Sequence, residues 1–128
     1  MNDAERESLN ALAEAVIGAA YEVSKVLGPD FLEKLYERAL LAELGLRGIP
    51  ARSQVSYQVT YKGKLIGEYV ADLVVGDRLI VELKCTERIG NEHLAQCLNY
   101  LQASGLNLAL LINFQHAKVE LRRVVLGF

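Results

Sequence analysis

Cysteine is scarce in this chain, which has only Cys85 and Cys97. The pair lacks the spacing of a zinc site and the density of a secreted disulfide scaffold. Both therefore read as reduced thiols in or near a core. No apolar run approaches the roughly 20 residues that cross a bilayer. The opening stretch Met1-Asn2-Asp3-Ala4-Glu5-Arg6-Glu7 is polar and acidic, unlike a secretory signal. A cytoplasmic location is expected. A basic surplus is missing too: 14 lysines and arginines face 16 acids, for a net charge of −2. A nucleic-acid partner would have to be held by a local patch or a bound metal, not by a global field. There is no glycine-rich phosphate loop, zinc-finger spacing or nucleophile elbow, which removes Rossmann, kinase and serine-hydrolase readings. Repeats, low-complexity tracts and long linkers are absent as well.

What is present suits one domain spanning residues 1–128. The 128 residues are 52% hydrophobic, enough for one core without staples. Leu9, Leu12, Ala13, Val16, Ile17, Ala20, Val23 and Leu27 recur at helical spacing and predict a helix over 4–26. Gly28-Pro29 ends it. Asp30 is expected to cap a second helix, with Phe31, Leu32, Leu35, Tyr36, Ala39, Leu40 and Leu44 on its apolar side. From Arg52 the period becomes two, giving a half-buried strand with Val55, Tyr57, Val59 and Tyr61 on one face. Lys62-Gly63 and Gly76-Asp77-Arg78 turn it into second and third strands. Asn91 is expected to cap a third helix, built on Leu94, Cys97, Leu98 and Leu101 and stopped by Gly105. Leu108-Ala109-Leu110-Leu111-Ile112 suits a strand buried on both faces. Lys118–Val125 reads as a more polar edge strand. The order α-α-β-β-β-α-β-β implies an α/β (α+β) fold around one mixed sheet, its fourth strand delivered by a crossover helix.

Three charges sit where buried strands should carry none. Asp72 follows Val70-Ala71, and Glu82 and Lys84 flank Leu83 in Leu79-Ile80-Val81-Glu82-Leu83-Lys84. Strand side chains alternate faces, so Glu82 and Lys84 point one way and Leu83 the other. Asp72 joins them only if it pairs with Glu82 directly or diagonally by an even offset; a three-residue loop Gly76-Asp77-Arg78, or a bulge with the same effect, gives the direct pairing. A two-residue loop would put Asp72 opposite Val81, on the wrong face. Magnesium takes hard oxygen ligands, commonly one or two carboxylates completed by water and phosphate. Asp72, Glu82 and the Leu83 carbonyl fit that role, and Lys84 could activate water or steady a phosphate. The bland alternative is an ion pair of Lys84 with Asp72 or Glu82.

Glu33 has two readings. Asp30-Phe31-Leu32-Glu33 has capping-box spacing, which explains it structurally; otherwise it is a third acid reaching toward the metal. Gln96 and Tyr100, four apart, share a face of the third helix. They could hold a phosphate or orient Lys84, or else be a solvent-facing amide and a boundary aromatic. His93 reads as a surface histidine.

Asp72 with Glu82-Leu83-Lys84 resembles the signature of the PD-(D/E)XK nuclease superfamily. Gln96-Cys97-Leu98-Asn99-Tyr100 is similar to the glutamine-x-x-x-tyrosine motif of its recombination nucleases. More closely, the chain resembles the GxxExxY proteins of that superfamily. The resemblance runs through Phe31-Leu32-Glu33-Lys34-Leu35-Tyr36, Tyr61-Lys62-Gly63, Gly67-Glu68-Tyr69, Ala71-Asp72-Leu73-Val74-Val75, Val81-Glu82-Leu83-Lys84, Leu98-Asn99-Tyr100-Leu101 and Leu111-Ile112-Asn113-Phe114. Two positions depart: Asp30 stands for the glycine of the name, and Ala71 for the superfamily's proline. The resemblance implies a restriction-endonuclease-like αβββαβ core preceded by an extra helix. It implies Mg2+ or Mn2+ held by Asp72, Glu82, Leu83 and Glu33, with catalysis by Asp72, Glu82, Lys84 and Glu33. Gln96 and Tyr100 would bind substrate. The expected activity is metal-dependent phosphodiester hydrolysis of DNA or RNA, with a homodimer or partner protein to span a duplex. The alternative is a non-catalytic module that binds nucleic acid or protein on the same fold.

Overall fold

Asn2 starts the first helix, its side chain accepting the Glu5 N–H in a computed structural model that describes Met1–Phe128. The helix, α1, spans Asp3–Leu27 and is followed by α2, Glu33–Leu46. A meander of β1 (Ala51–Tyr61), β2 (Lys64–Val75) and β3 (Leu79–Lys84) comes next. Helix α3 (Asn91–Ser104) then leads to β4 (Leu108–Asn113) and β5 (Glu120–Val125). The strands form one sheet in the order β1-β2-β3-β4-β5. Only β3 and β4 run parallel, as a connection through a crossover helix requires. This is the α+β arrangement expected from the element order, and it has the restriction-endonuclease-like core that the resemblance implies.

Turn chemistry sets the registers. Lys62 and Gly63 both have positive φ, 49° and 79°, which matches the strand twist in a two-residue hairpin turn. The second hairpin closes through the three-residue loop, with Val75 opposite Leu79 and Leu73 opposite Val81. Gly105 ends α3 in the left-handed conformation, its N–H on the Leu101 carbonyl, a place where a side chain would strain the backbone.

Alternation along the strands divides the apolar residues between two layers. Leu73, Val75, Leu79, Val81, Leu83, Leu108, Leu110 and Ile112 face α1 and α2, packing on Val16, Tyr36, Leu40 and Leu44. Val74, Ile80, Ala109 and Leu111 face α3, meeting Cys97, Tyr100 and Leu101. All of β4 is buried, and β5 takes an edge. No helix is long and apolar enough to cross a membrane, and both cysteines are free.

Several local expectations are corrected. Asp30 does not cap α2: it has φ 77°, Leu32 is the N-cap, and no side chain bonds the cap. The left-handed turn at Asp30 carries its carboxylate away from the helix amides. Tyr36 takes over the fastening: its hydroxyl donates to the Gly28 carbonyl and accepts the Phe31 N–H at 3.3 Å. Its ring stacks on Phe114 at 4.8 Å. Phe31, Leu32 and Leu35 are consequently exposed rather than packed. Gly90, not Asn91, caps α3, with His93 Nδ1 accepting the Gly90 N–H at 3.0 Å. On α3, Tyr100 faces the core, while Leu98 turns outward.

Candidate active site

The β2–β3 ladder runs from Val75↔Leu79 to Leu73↔Val81 and then opens. The next rung would pair Asp72 with Glu82, and here side chains replace the ladder bonds. Glu82 Oε1 accepts the Asp72 N–H at 2.9 Å, and Asp72 Oδ2 accepts the Leu83 N–H at 2.8 Å. Each acid thus satisfies a main-chain donor that the parting strands leave behind. Beyond the fork, β3 stays paired with β4 as far as Lys84↔Asn113. The Lys84 carbonyl accepts the Phe114 N–H at 2.9 Å, so the main chain beneath the amine is fixed.

Glu82 is buried, only 3% exposed, and Asp72 is half-buried. Burial, with the neighbouring Asp72 charge added, pushes the Glu82 carboxyl up to about 9. Two acids packed together with little compensation cannot both ionise readily. Lys84 is half-buried and forms no ion pair or hydrogen bond through Nζ, which corrects the structural ion-pair reading. Lys84 shares the sheet face of Glu82, and its charge acts on both Glu82 and Glu33.

Glu33, the first residue of α2, is exposed at the mouth of the fork. Loss of hydration raises its carboxyl above the usual range, and the Asp72 charge adds to this. Tyr100 and Cys97 approach the acids from α3. Burial is the main cause that raises both, with Glu82 the next in each case; the thiol is pushed up to about 12. The Tyr100 ring stands edge-on to Tyr69, 5.3 Å between centroids. Gln96 is half-buried and bonds none of the acids.

The structure therefore brings Asp72, Glu82, Leu83 and Lys84 together, with Glu33 and Tyr100 beside them; Gln96 stands apart from the network. No three His, Cys, Asp or Glu side chains converge closely enough to hold a metal ion by themselves. The donor set still fits a hard divalent cation: two adjacent carboxylates that form no ion pair are what magnesium commonly uses, with water and phosphate completing its shell. A cation there would also reverse the upward shift of Glu82.

Sequence reasoning missed four contributors. Tyr36 was visible as an apolar helix residue, but its fastening role was not. Cys97, next to Gln96, is the core thiol expected, but nothing in the sequence signals its approach to the acids. Glu37 is buried, 6% exposed, and lies one turn beyond Glu33, a spacing that could have revealed it. Gln54 gave no signal. It has φ 55° inside β1, a left-handed conformation that costs a non-glycine residue about 1–2 kcal/mol.

Fold and fork together define a restriction-endonuclease-like domain. The sequence profile of the PD-(D/E)XK nuclease superfamily matches residues 10–124. The chain belongs to that superfamily. The structure is similar to the crystal structure of SSO0001, with a TM-score of 0.58 and 17% identity over 93% of this chain. That alignment covers 59% of SSO0001, so this chain spans less than two thirds of its length. An alkaline exonuclease, LHK-Exo, from Laribacter hongkongensis aligns over 83% of this chain and 75% of its own, at 13% identity and a TM-score of 0.48. No curated protein matches the chain in sequence.

Proposed function

We propose that this domain hydrolyses phosphodiester bonds of DNA or RNA with the help of Mg2+ or Mn2+. The observation that carries the reading is the Asp72–Glu82 pair at the fork, on the same sheet face as an amine, Lys84, that has no ionic partner. Asp72, Glu82 and the Leu83 carbonyl would hold the cation, with Glu33 assisting directly or through water. The cation would supply charge stabilisation at the phosphate and acidify a bound water. Lys84 orients that water or steadies charge developing on the phosphate. Tyr100 backs Glu82 from α3 and Gln96 meets the substrate backbone. The low-dielectric wall of Ile80, Leu111 and Cys97 strengthens each of these interactions.

The finer kinship is with the GxxExxY proteins. Glu33 and Tyr36 stand at the named positions, and Asp30, at the glycine, adopts a left-handed φ of 77° that glycine favours. The whole of 1–128 acts as one domain, and a homodimer or partner supplies the remaining reach on a duplex.

Calorimetric titration with Mn2+ on the native protein and on Asp72→Ala tests the reading. Heat with the native protein alone is expected. Incubation with single-stranded, double-stranded and branched DNA, and with RNA, should give products that Glu82→Ala and Lys84→Ala do not. Absence of metal-dependent heat from both proteins would favour the binding-module alternative. Cleavage that survives both substitutions would place the chemistry elsewhere.

A further inference from the structure

We propose that Gln54 and Glu37 are positioning residues of this site: the hydrogen bond between them clamps the first two turns of α2 onto β1 beside Asp72, and so holds Glu33 over the fork. This rests on the nuclease reading and adds two residues to it.

Four non-glycine residues have positive φ: Asp30, Gln54, Lys62 and Asp77. Three lie in the connections between elements, and Gln54 alone lies within a strand. It occupies the rung that β1 skips, between Ser53↔Leu73 and Val55↔Ala71. Asp72 lies between those partners on β2, so Gln54, Asp72 and Glu82 form a row across three strands. Strain of this kind persists only where the surroundings impose it. Here the imposing contact is with α2: Gln54 Nε2 donates to Glu37 Oε1 at 2.9 Å. The other Glu37 oxygen accepts from Lys34 Nζ at 3.0 Å. A buried carboxylate is thus fully partnered, and its charge is tied away from the fork. Glu33 is one turn earlier on the same helix face, and the Glu37 charge already acts on it. Released, Glu37 would be a further negative group free to repel or compete with Glu33.

Glycine is at ease at φ 55°, so Gln54→Gly removes the amide and relieves the backbone together. The thermal midpoint should hold or rise. Mn2+ affinity by calorimetry and kcat should each fall about tenfold, with KM little changed, as for lost outer-shell support of a metal site. The exchanged pair Gln54→Glu with Glu37→Gln keeps the bond with donor and acceptor reversed, and should recover both to within about threefold. Amide exchange at residues 36–38, the first amides bonded within α2, reads the clamp in metal-free protein without metal or substrate, and Gln54→Gly should speed it about tenfold. Unchanged exchange overturns the clamp. Faster exchange with native affinity and turnover overturns its role at the site, as does a midpoint that falls in step with affinity. If the native protein neither binds Mn2+ nor cuts any nucleic acid, the nuclease reading fails instead, and the exchange rates alone decide the clamp.

Discussion

The two faces of the sheet differ in kind. Toward α1 and α2, nineteen buried residues form one continuous apolar cluster. Toward α3 the corresponding cluster has ten, and the row of Asp72, Glu82 and Lys84 interrupts it at the fork. The first face is built to be stable, and no strand residue of its buried cluster is ionisable. The second accepts a buried acid pair, which on its own opposes folding. A small domain can carry such a site because the opposite face supplies the burial that offsets it.

Breaking the chemical face should give the largest effect. Asp72→Ala or Glu82→Ala is expected to slow cleavage about a thousandfold or more, about 4 kcal/mol of barrier. The thermal midpoint should hold or rise, since the crowding of two acids at the fork is relieved. Initial rates on labelled substrate beside melting curves would show it; a midpoint that collapses would mean both faces carry the fold equally. Leu110→Ala on the apolar face should do the reverse. Leu110 is wholly buried, and a cavity there should cost about 3 kcal/mol by urea unfolding. Turnover per folded molecule should stay native.

The pH dependence of stability sharpens the comparison. Folded Glu82 keeps its proton up to about 9, against an ordinary value of 4.5. A raised acid contributes stability in full below its unfolded value and loses it as pH climbs through the folded one. The metal-free protein should therefore melt at progressively lower temperature as the solution moves from mildly acid to alkaline. Glu82→Gln should flatten that slope, and Mn2+ at alkaline pH should restore the native midpoint. A native protein whose midpoint rises over that range would contradict the buried acid pair. The smallest change expected is Tyr36→Phe, which keeps the stack on Phe114 but loses the hydroxyl bonds, for about 1 kcal/mol. Denaturant melts check it, and Mn2+ affinity should weaken slightly as the α1–α2 connection that presents Glu33 loosens.

Much of this was legible in the chain. The change from helical to two-residue periodicity at Arg52 marks the first strand. The apolar run at Leu108 marks a central one, and the loop Gly76-Asp77-Arg78 fixes which face Asp72 takes. These are local signals, each read within a few residues. The misses are contacts between distant segments. Asp30 has a capping residue's chemistry, but a left-handed backbone sends its side chain elsewhere. Leu98 fits a helical stripe, yet the sheet it would meet lies under Tyr100 instead. Gln54 looks like any polar strand residue, because its conformation is set by Glu37, seventeen positions away.

The connectivity around β3 has a kinetic consequence. Its pairing with β2 needs only a short reversal, whereas its pairing with β4 must wait for α3 to form and cross over. Nearby contacts close sooner than remote ones, so Asp72 and Glu82 should meet while still bathed in solvent, where their mutual repulsion is mild. Only the late docking of α3 seals them in, which makes that helix the step at which an acid pair becomes a site.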